Sequence, residues 1–296
     1  MNGLLVVDKP AGMTSHDVVN RLRRITGERT IGHLGTLDPM ATGVLPLLVG
    51  KYTRLAQYFS AAEKSYTGAI RFGFATDTYD AEGEAAGPDV WPEFAGGISL
   101  ERLRAAGARF LGETEQMPPP FSAKKVAGTP AYKLARAGKP VQLKPAKVRI
   151  DAFEIAALDG AEASFAIGIS SGGYVRSVAH ELGRDLGCGA HLSRLRRTRA
   201  GVFTLEEAHT LEELEPLAGN IEGLEGLCIH PRRLLPEMPA VTGEPLALGR
   251  LRNGAQANLP EFSTAGLVKV FAGPRELAGI AKRVAGTLFQ PVVVLG

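Results

Sequence analysis

Cysteine is nearly absent from this sequence: Cys188 and Cys228 are the only two in 296 residues. Two thiols this far apart exclude a disulfide framework and a CxxC redox or metal motif. No apolar run approaches the length needed to cross a bilayer, and the start, MNGLLVVDKP, lacks the basic and apolar regions of a signal peptide. A soluble cytoplasmic protein without membrane contact is the expectation. The phosphate-loop signature is missing too. GVLPLLVGKYT has a Gly-Lys pair with the wrong glycine spacing and no Ser or Thr after the lysine, and SSGGYVRS is not GxGxxG. AHELGRDL lacks the second histidine of an HExxH site, and the six histidines are scattered, so no metal is expected.

Acids are absent from two long stretches. Between Glu115 and Asp151 there is none, while Lys124, Lys125, Lys133, Arg136, Lys139, Lys144, Lys147 and Arg149 are basic. Between Asp185 and Glu206 the arginines at 194, 196, 197 and 199 again stand without an acid in sequence. The acids collect instead around Asp77 to Glu101 and in EEAHTLEELEP. The net charge is only +3, so it is the segregation that implies a cationic face for a polyanion such as nucleic acid.

What is present is a globular composition, 45% hydrophobic and 22% charged, in a chain long enough for one large domain or a large and a small one. LLVVDKP reads as a buried strand ending in a turn. Thr14 or Ser15 caps a helix whose apolar face is Val18, Val19, Leu22 and Ile25, and Gly27 ends it. A Gly-rich loop to Gly43 leads into an apolar strand, and KSYTGAIRFGF alternates as a strand should. Residues 99 to 109 read as helix. From Met117 to Val148 the texture shifts to proline, glycine and lysine around one short helix, AYKLARAG, an excursion from the core. Strands follow at about 147–157 and 163–170, then a helix from about Tyr174 to Gly187. PRRLLPEMPAV reads as a linker, and LRNGAQ, GLVKVFAG and ELAGIAKRV as short strands of a small terminal β-domain.

One carboxylate stands out. In IGHLGTLDPMATGVLPLLVG, Asp38 sits among glycines and apolar residues, with Arg29 and Lys51 the nearest flanking charges. Buried alone it would be penalised by several kcal/mol, so the fold must either leave it in solvent or supply a partner. Taken by itself, LDP reads as a turn as readily as an active-site acid.

GHLGTLDPMATGVLPL resembles the catalytic motif of the TruB family of tRNA pseudouridine synthases. LLVVDKPAGMTS, KSYT, ATDTYDAEG, MPPPFSAKKVAGTPAYKLARAG, SSGGYVRSVAHELGRDLGCGAHLSRLRRTRAG and a terminal LRNG follow in the family's order and cover nearly the whole chain. The resemblance implies an α+β pseudouridine synthase fold with a central mixed, mostly antiparallel sheet. It implies a catalytic domain over roughly 1–235, a thumb-like RNA-binding insertion at about 117–148, and a small PUA-like β-domain over roughly 241–296. The implied reaction converts the T-loop uridine of tRNA, position 55, to pseudouridine by base flipping, without cofactor and without guide RNA. A monomer is expected.

The resemblance also assigns roles. Asp38 matches the essential aspartate, and Arg176 the arginine that pairs with it; such a pair would keep Asp38 ionised and lower its pKa. Tyr66 matches the aromatic that stacks on the target base, a stack worth about 1–3 kcal/mol. His33 matches a histidine that packs against the displaced base. Lys9 matches a loop supporting the active site and is grouped with the substrate contacts, as are Tyr174 and Leu195 on the pocket wall. Lys124 and Lys125 match phosphate contacts of the insertion. Phe121 stands where the family commonly has tyrosine, and Leu34 follows the motif histidine where a smaller or polar residue is usual. Three alternatives stay open: a guide-RNA-dependent dyskerin-type synthase, a non-catalytic tRNA-binding or chaperone protein, and a small-molecule lyase or hydrolase.

Overall fold

In the computed structural model all residues are described except 123, 127, 132, 133, 135, 136 and 138–142. The expected helix at AYKLARAG, and the expectations for Lys133, Arg136 and Lys139, fall largely or wholly outside the described residues.

The molecule is built on a mixed sheet. Its strands are β1 (Gly3–Lys9), β2 (Ile31–His33), β3 (Thr42–Val49), β4 (Lys64–Phe72), β5 (Gly112–Gln116), β6 (Ala146–Asp159), β7 (Glu162–Ile169), β8 (Ala190–Ala200) and β9 (Phe203–Thr204). The order is β1-β3-β8-β4-β7-β6-β5, with β2 on β3 and β9 on β8. Among the described residues of this sheet the β3–β8 strand pairing alone is parallel, through Thr42 with Arg196 and Gly43 with Arg197. Gly43 is required there: its φ is +102°, and a side chain would overlap the Arg197 carbonyl.

Alternation decides what each face of the sheet meets. Leu5, Val7, Leu45 and Leu47 face the helices α1 (Ser15–Thr26) and α3 (Val175–Leu186), packing with Val18, Val19, Leu22, Val178, Ala179 and Leu182. The helix α2 (Leu100–Ala108) joins the same cluster through Leu103. Thr14 caps α1, and Asp17 returns the hydrogen bond as a capping box; Gly27 ends the helix in the left-handed region at φ 69°. Leu4, Val6, Val44 and Leu48 face the other way, into a cluster that includes Phe203, Leu234, Leu235, Phe271, Ile280 and Val293.

That second cluster includes residues of a second sheet, formed by β10 (Ala240–Thr242), β11 (Ala257–Asn258), β12 (Leu267–Ala272), β13 (Glu276–Ala285) and β14 (Leu288–Val294) in the order β10-β12-β13-β14-β11. PRRLLPEMPAV is therefore not an open tether. Leu234 and Leu235 are buried in the shared cluster, and the Lys269 ammonium donates to the carbonyls of Arg232 at 2.9 Å and Leu234 at 2.7 Å. LRNGAQ also differs from the expected strand: its start closes the helix α4 (Pro245–Arg252), whose Leu248 and Leu251 pack beneath the second sheet. Pro245 at the first helical turn and the i, i+3 spacing of those leucines explain the difference. No described helix is long and apolar enough to cross a membrane.

Candidate active site

Asp38 lies in the loop between β2 and β3, and the loop is fastened on both sides of it. Before it, Leu37 N–H donates to Ser15 Oγ at 2.8 Å, and the Ser15 hydroxyl lies 3.2 Å from the Leu37 carbonyl. After it, the Pro39 carbonyl accepts from Gly12 N–H at 2.9 Å and from Lys9 Nζ at 3.2 Å. Ala41 N–H closes a turn onto the Asp38 carbonyl at 3.0 Å.

The partner missing from the sequence neighbourhood is Arg176, in the first turn of α3. Its Nη2 donates to Asp38 Oδ1 at 3.0 Å, and its Nε lies 2.9 Å from Oδ2. The guanidinium is itself held: Nη1 donates to the Thr78 carbonyl and Nη2 to the Phe121 carbonyl, both at 3.0 Å. Asp80 Oδ2 stands 3.5 Å from Nη1. The arginine side chain is 5% exposed and that of Asp38 31%, so solvent reaches the pair from the carboxylate side.

Burial pushes the Asp38 carboxyl above its usual range, and nearby Asp80 adds to this, while Arg176 pulls it down; the net direction is upward. This corrects the expectation of a lowered pKa. The arginine is present, but one guanidinium serves two carboxylates in a recess, and desolvation prevails.

Asp80 was not singled out by sequence. Its motif also contains Asp77, which accepts from Glu84 N–H at 2.8 Å in an exposed turn. Asp80 instead is buried, accepting from Thr78 Oγ1 at 2.6 Å and Glu82 N–H at 3.1 Å. Spacing alone does not separate the two. Gln116 was also missed; its amide donates to the Tyr174 carbonyl at 3.0 Å and accepts from the Tyr174 N–H at 2.8 Å, fixing the residue that leads into α3.

Tyr66, on β4, pairs with Arg197, which pairs with Gly43. At about 4.8 Å per strand, Tyr66 stands about 10 Å across the sheet from Gly43. Tyr66 also belongs to the apolar cluster that contains Leu37, Val175 and Leu195, so the residues beside Asp38 and Arg176 are part of the same core. Tyr66 is 9% and Leu195 8% exposed. Tyr174 is half-buried, and burial pushes its phenol upward. His33 lies on β2 opposite Leu47, with its Nδ1 buried and unpartnered among the described residues. Burial, then Arg197, pushes its pKa down, favouring neutral imidazole.

Lys9 takes a different place from that of a substrate contact. It is fully buried, and its ammonium donates to the carbonyls of Pro10 (2.8 Å), Met13 (2.6 Å) and Pro39 (3.2 Å). All three donors are thereby occupied, and Lys9 braces the loop carrying Asp38. Lys124 is half-buried, and its carbonyl accepts from Ala131 N–H at 2.7 Å. Lys125 pairs through its backbone with Pro130; its side chain lies outside what is described.

Residues 23–175 match the family described as TruB family pseudouridylate synthase (N terminal domain). Residues 176–225 match the tRNA pseudouridylate synthase B C-terminal domain. The chain is 43% identical to tRNA pseudouridine synthase B of Solibacter usitatus (strain Ellin6076), with both chains covered in full. It is 38% identical to tRNA pseudouridine synthase B of Aquifex aeolicus (strain VF5), over 97% of this chain and 98% of that one. Among solved structures it superposes on a chain of the archaeal box H/ACA sRNP Nop10-Cbf5 complex with a TM-score of 0.68, at 25% identity, covering 99% of this chain and 85% of that one.

Proposed function

The chain belongs to the TruB family, isomerases that form pseudouridine in tRNA, and we propose that its substrate is the T-loop uridine at position 55. The observation that carries the reading is the Asp38–Arg176 pair, with an anchored guanidinium behind a carboxylate open to solvent. A uridine inside a folded loop cannot reach that carboxylate, so the nucleotide is flipped out and its lost stacking is offset by the Tyr66 ring. Uracil then leaves C1′ through N1, turns, and rejoins C1′ through C5. The proton on C5 is lost and N1 gains one, so the reaction needs neither oxidant nor cofactor. Asp38 acts in its ionised form against the sugar or the base edge, with Arg176 fixing its orientation.

His33, Tyr174 and Leu195 line the recess for the base. The segment from Met117 to Val148 and the second sheet, a PUA-like unit in this reading, grip the rest of the tRNA. The match of full-length relatives by name favours a stand-alone tRNA enzyme over a guide-RNA-dependent one.

The test uses an unmodified T-arm stem-loop, the wild-type protein and Asp38→Asn. Wild type is expected to convert one uridine without an added guide RNA. Asp38→Asn should bind comparably and lose at least about 10³-fold in rate, the scale on which an essential group acts. Binding without product in wild type would favour the chaperone alternative, and dependence on an added guide the dyskerin-type one.

A further inference from the structure

The arginines of the second acid-free stretch do not share one fate. Arg194 pairs with Glu162 at 3.1 Å and Arg196 with Asp8 at 2.7 Å. Arg197, although only 1% exposed, has no carboxylate partner among the described residues. Its Nε donates to the Val44 carbonyl at 2.6 Å and its Nη2 to the Gly35 carbonyl at 3.1 Å. Buried guanidinium groups are ordinarily paired with an anion, so the missing charge asks for an explanation.

Nη1 of Arg197 has no acceptor among the described residues, and it faces Gly35. A methyl group added to Gly35 would sit 3.5 Å from that nitrogen and 3.7 Å from Cε of Lys64. The Arg197 guanidinium and the Lys64 side chain therefore both border the space that a side chain at position 35 would fill, Lys64 through its Cε methylene. Gly35 has φ +113°, where a side chain is disfavoured. Lys64 is half-buried, and its ammonium donates to the Ala62 carbonyl at 2.5 Å, again with no carboxylate partner among the described residues. Burial, and then Arg197, pushes Lys64 below its usual range, as expected of like charges crowded together. The crowd also borders the proposed base site. Lys64 is two residues before Tyr66 on β4, Arg197 is its cross-strand partner, and His33 is two residues before Gly35.

We propose that Gly35, Lys64 and Arg197 form a subsite for one backbone phosphodiester of the RNA, adjacent to the flipped uridine. A phosphate at this point supplies the absent counter-charge, and the glycine leaves room for its oxygens to approach. The subsite rests on the reading that the ligand is RNA. It differs from the broad basic surface in being specific to a single phosphate.

The test is a set of T-arm stem-loops, each with one loop phosphate replaced by an uncharged methylphosphonate, assayed for binding and product with wild type and Lys64→Gln. In wild type, one position should weaken binding about tenfold, and in Lys64→Gln that same position should have almost no further effect. The slope of log K against log salt should fall by about 0.7 in Lys64→Gln, the loss of one single-strand phosphate contact. Lys64 bonds only to a neighbouring carbonyl, so this variant folds; Arg197→Gln, checked by thermal melting, should lose the same position. An unchanged slope and an unchanged interference profile in Lys64→Gln would overturn the subsite. Product formation on the unsubstituted stem-loop is read separately. Its failure in wild type would sink the functional reading while the interference profile still decides the subsite.

Discussion

Among the described residues two lysines are buried, Lys9 and Lys269, at 0% and 2% exposure. Each uses its ammonium to gather backbone carbonyls from segments that must stay together. Lys9 ties the turn after β1 to the Asp38 loop, and Lys269 ties the chain between the two sheets to β12. Their electrostatic settings differ. At Lys9 burial, with a smaller push from Arg197, outweighs the opposing pull of Asp38, Glu82 and Asp17 and leaves the pKa lowered to about 8. Burial also pushes Lys269 down, and Arg232 pushes in the same direction. Lys9 is thus part of the field that Asp38 feels, and it in turn lowers the Asp38 pKa. Lys269 is a mechanical fastening. One device serves chemistry in one region and assembly in the other.

The comparison breaks most readily at Lys9. Lys9→Met leaves the Pro39 carbonyl with one donor fewer and lets the loop shift. Turnover of the T-arm substrate should fall on the order of 100-fold, as for a catalytic group misplaced by about 1 Å, with RNA affinity within about threefold. Steady-state rates beside a filter-binding titration decide this; an equal loss in both would place Lys9 in RNA binding instead.

Lys269→Met should act on stability. It strands two carbonyls at the seam, and urea denaturation should show a loss of about 1–3 kcal/mol. Turnover at saturating RNA should stay at the wild-type level. A rate defect as large as that of Lys9→Met would erase the distinction between the two regions.

The smallest effect is a pH dependence. A lysine with a lowered folded-state pKa favours folding in its neutral form. Between about 8 and the ordinary 10.5 the unfolded chain holds more protons at this position than the folded one. The contribution of Lys9 is therefore complete above the upper value and is lost as pH falls through about 8. Urea midpoints measured across this window should climb less steeply in Lys9→Met than in wild type. An identical slope would mean that Lys9 is not buried as a cation.

Much of this was legible beforehand. The strand LLVVDKP, the capped helix after Thr14, and the helix opening near Tyr174 follow from alternation, capping chemistry and glycine stops that act within a few residues. The isolation of Asp38 was legible too, as a charge demanding a partner. What could not be read was any property set by residues far apart in the chain. Asp77 and Asp80 look alike in ATDTYDAEG, and only the turn back toward β8 buries one and leaves the other at the surface. Lys9 reads as a turn lysine until Pro39 is brought over it.

The sequence by itself determined most of the strands and helices of the catalytic domain, which family the motifs resemble, and that one aspartate needed a counter-charge. The tertiary structure alone decided that Arg176 is shared between Asp38 and Asp80, so that desolvation outweighs pairing at the carboxylate. It also decided that Arg194 and Arg196 of LSRLRRTRAG meet acids, that Arg199 bonds instead to the Ser65 hydroxyl and the Gly201 carbonyl, and that Arg197 is left facing a glycine. Charge pairing depends on distance and burial in space, and neither is encoded by position along the chain.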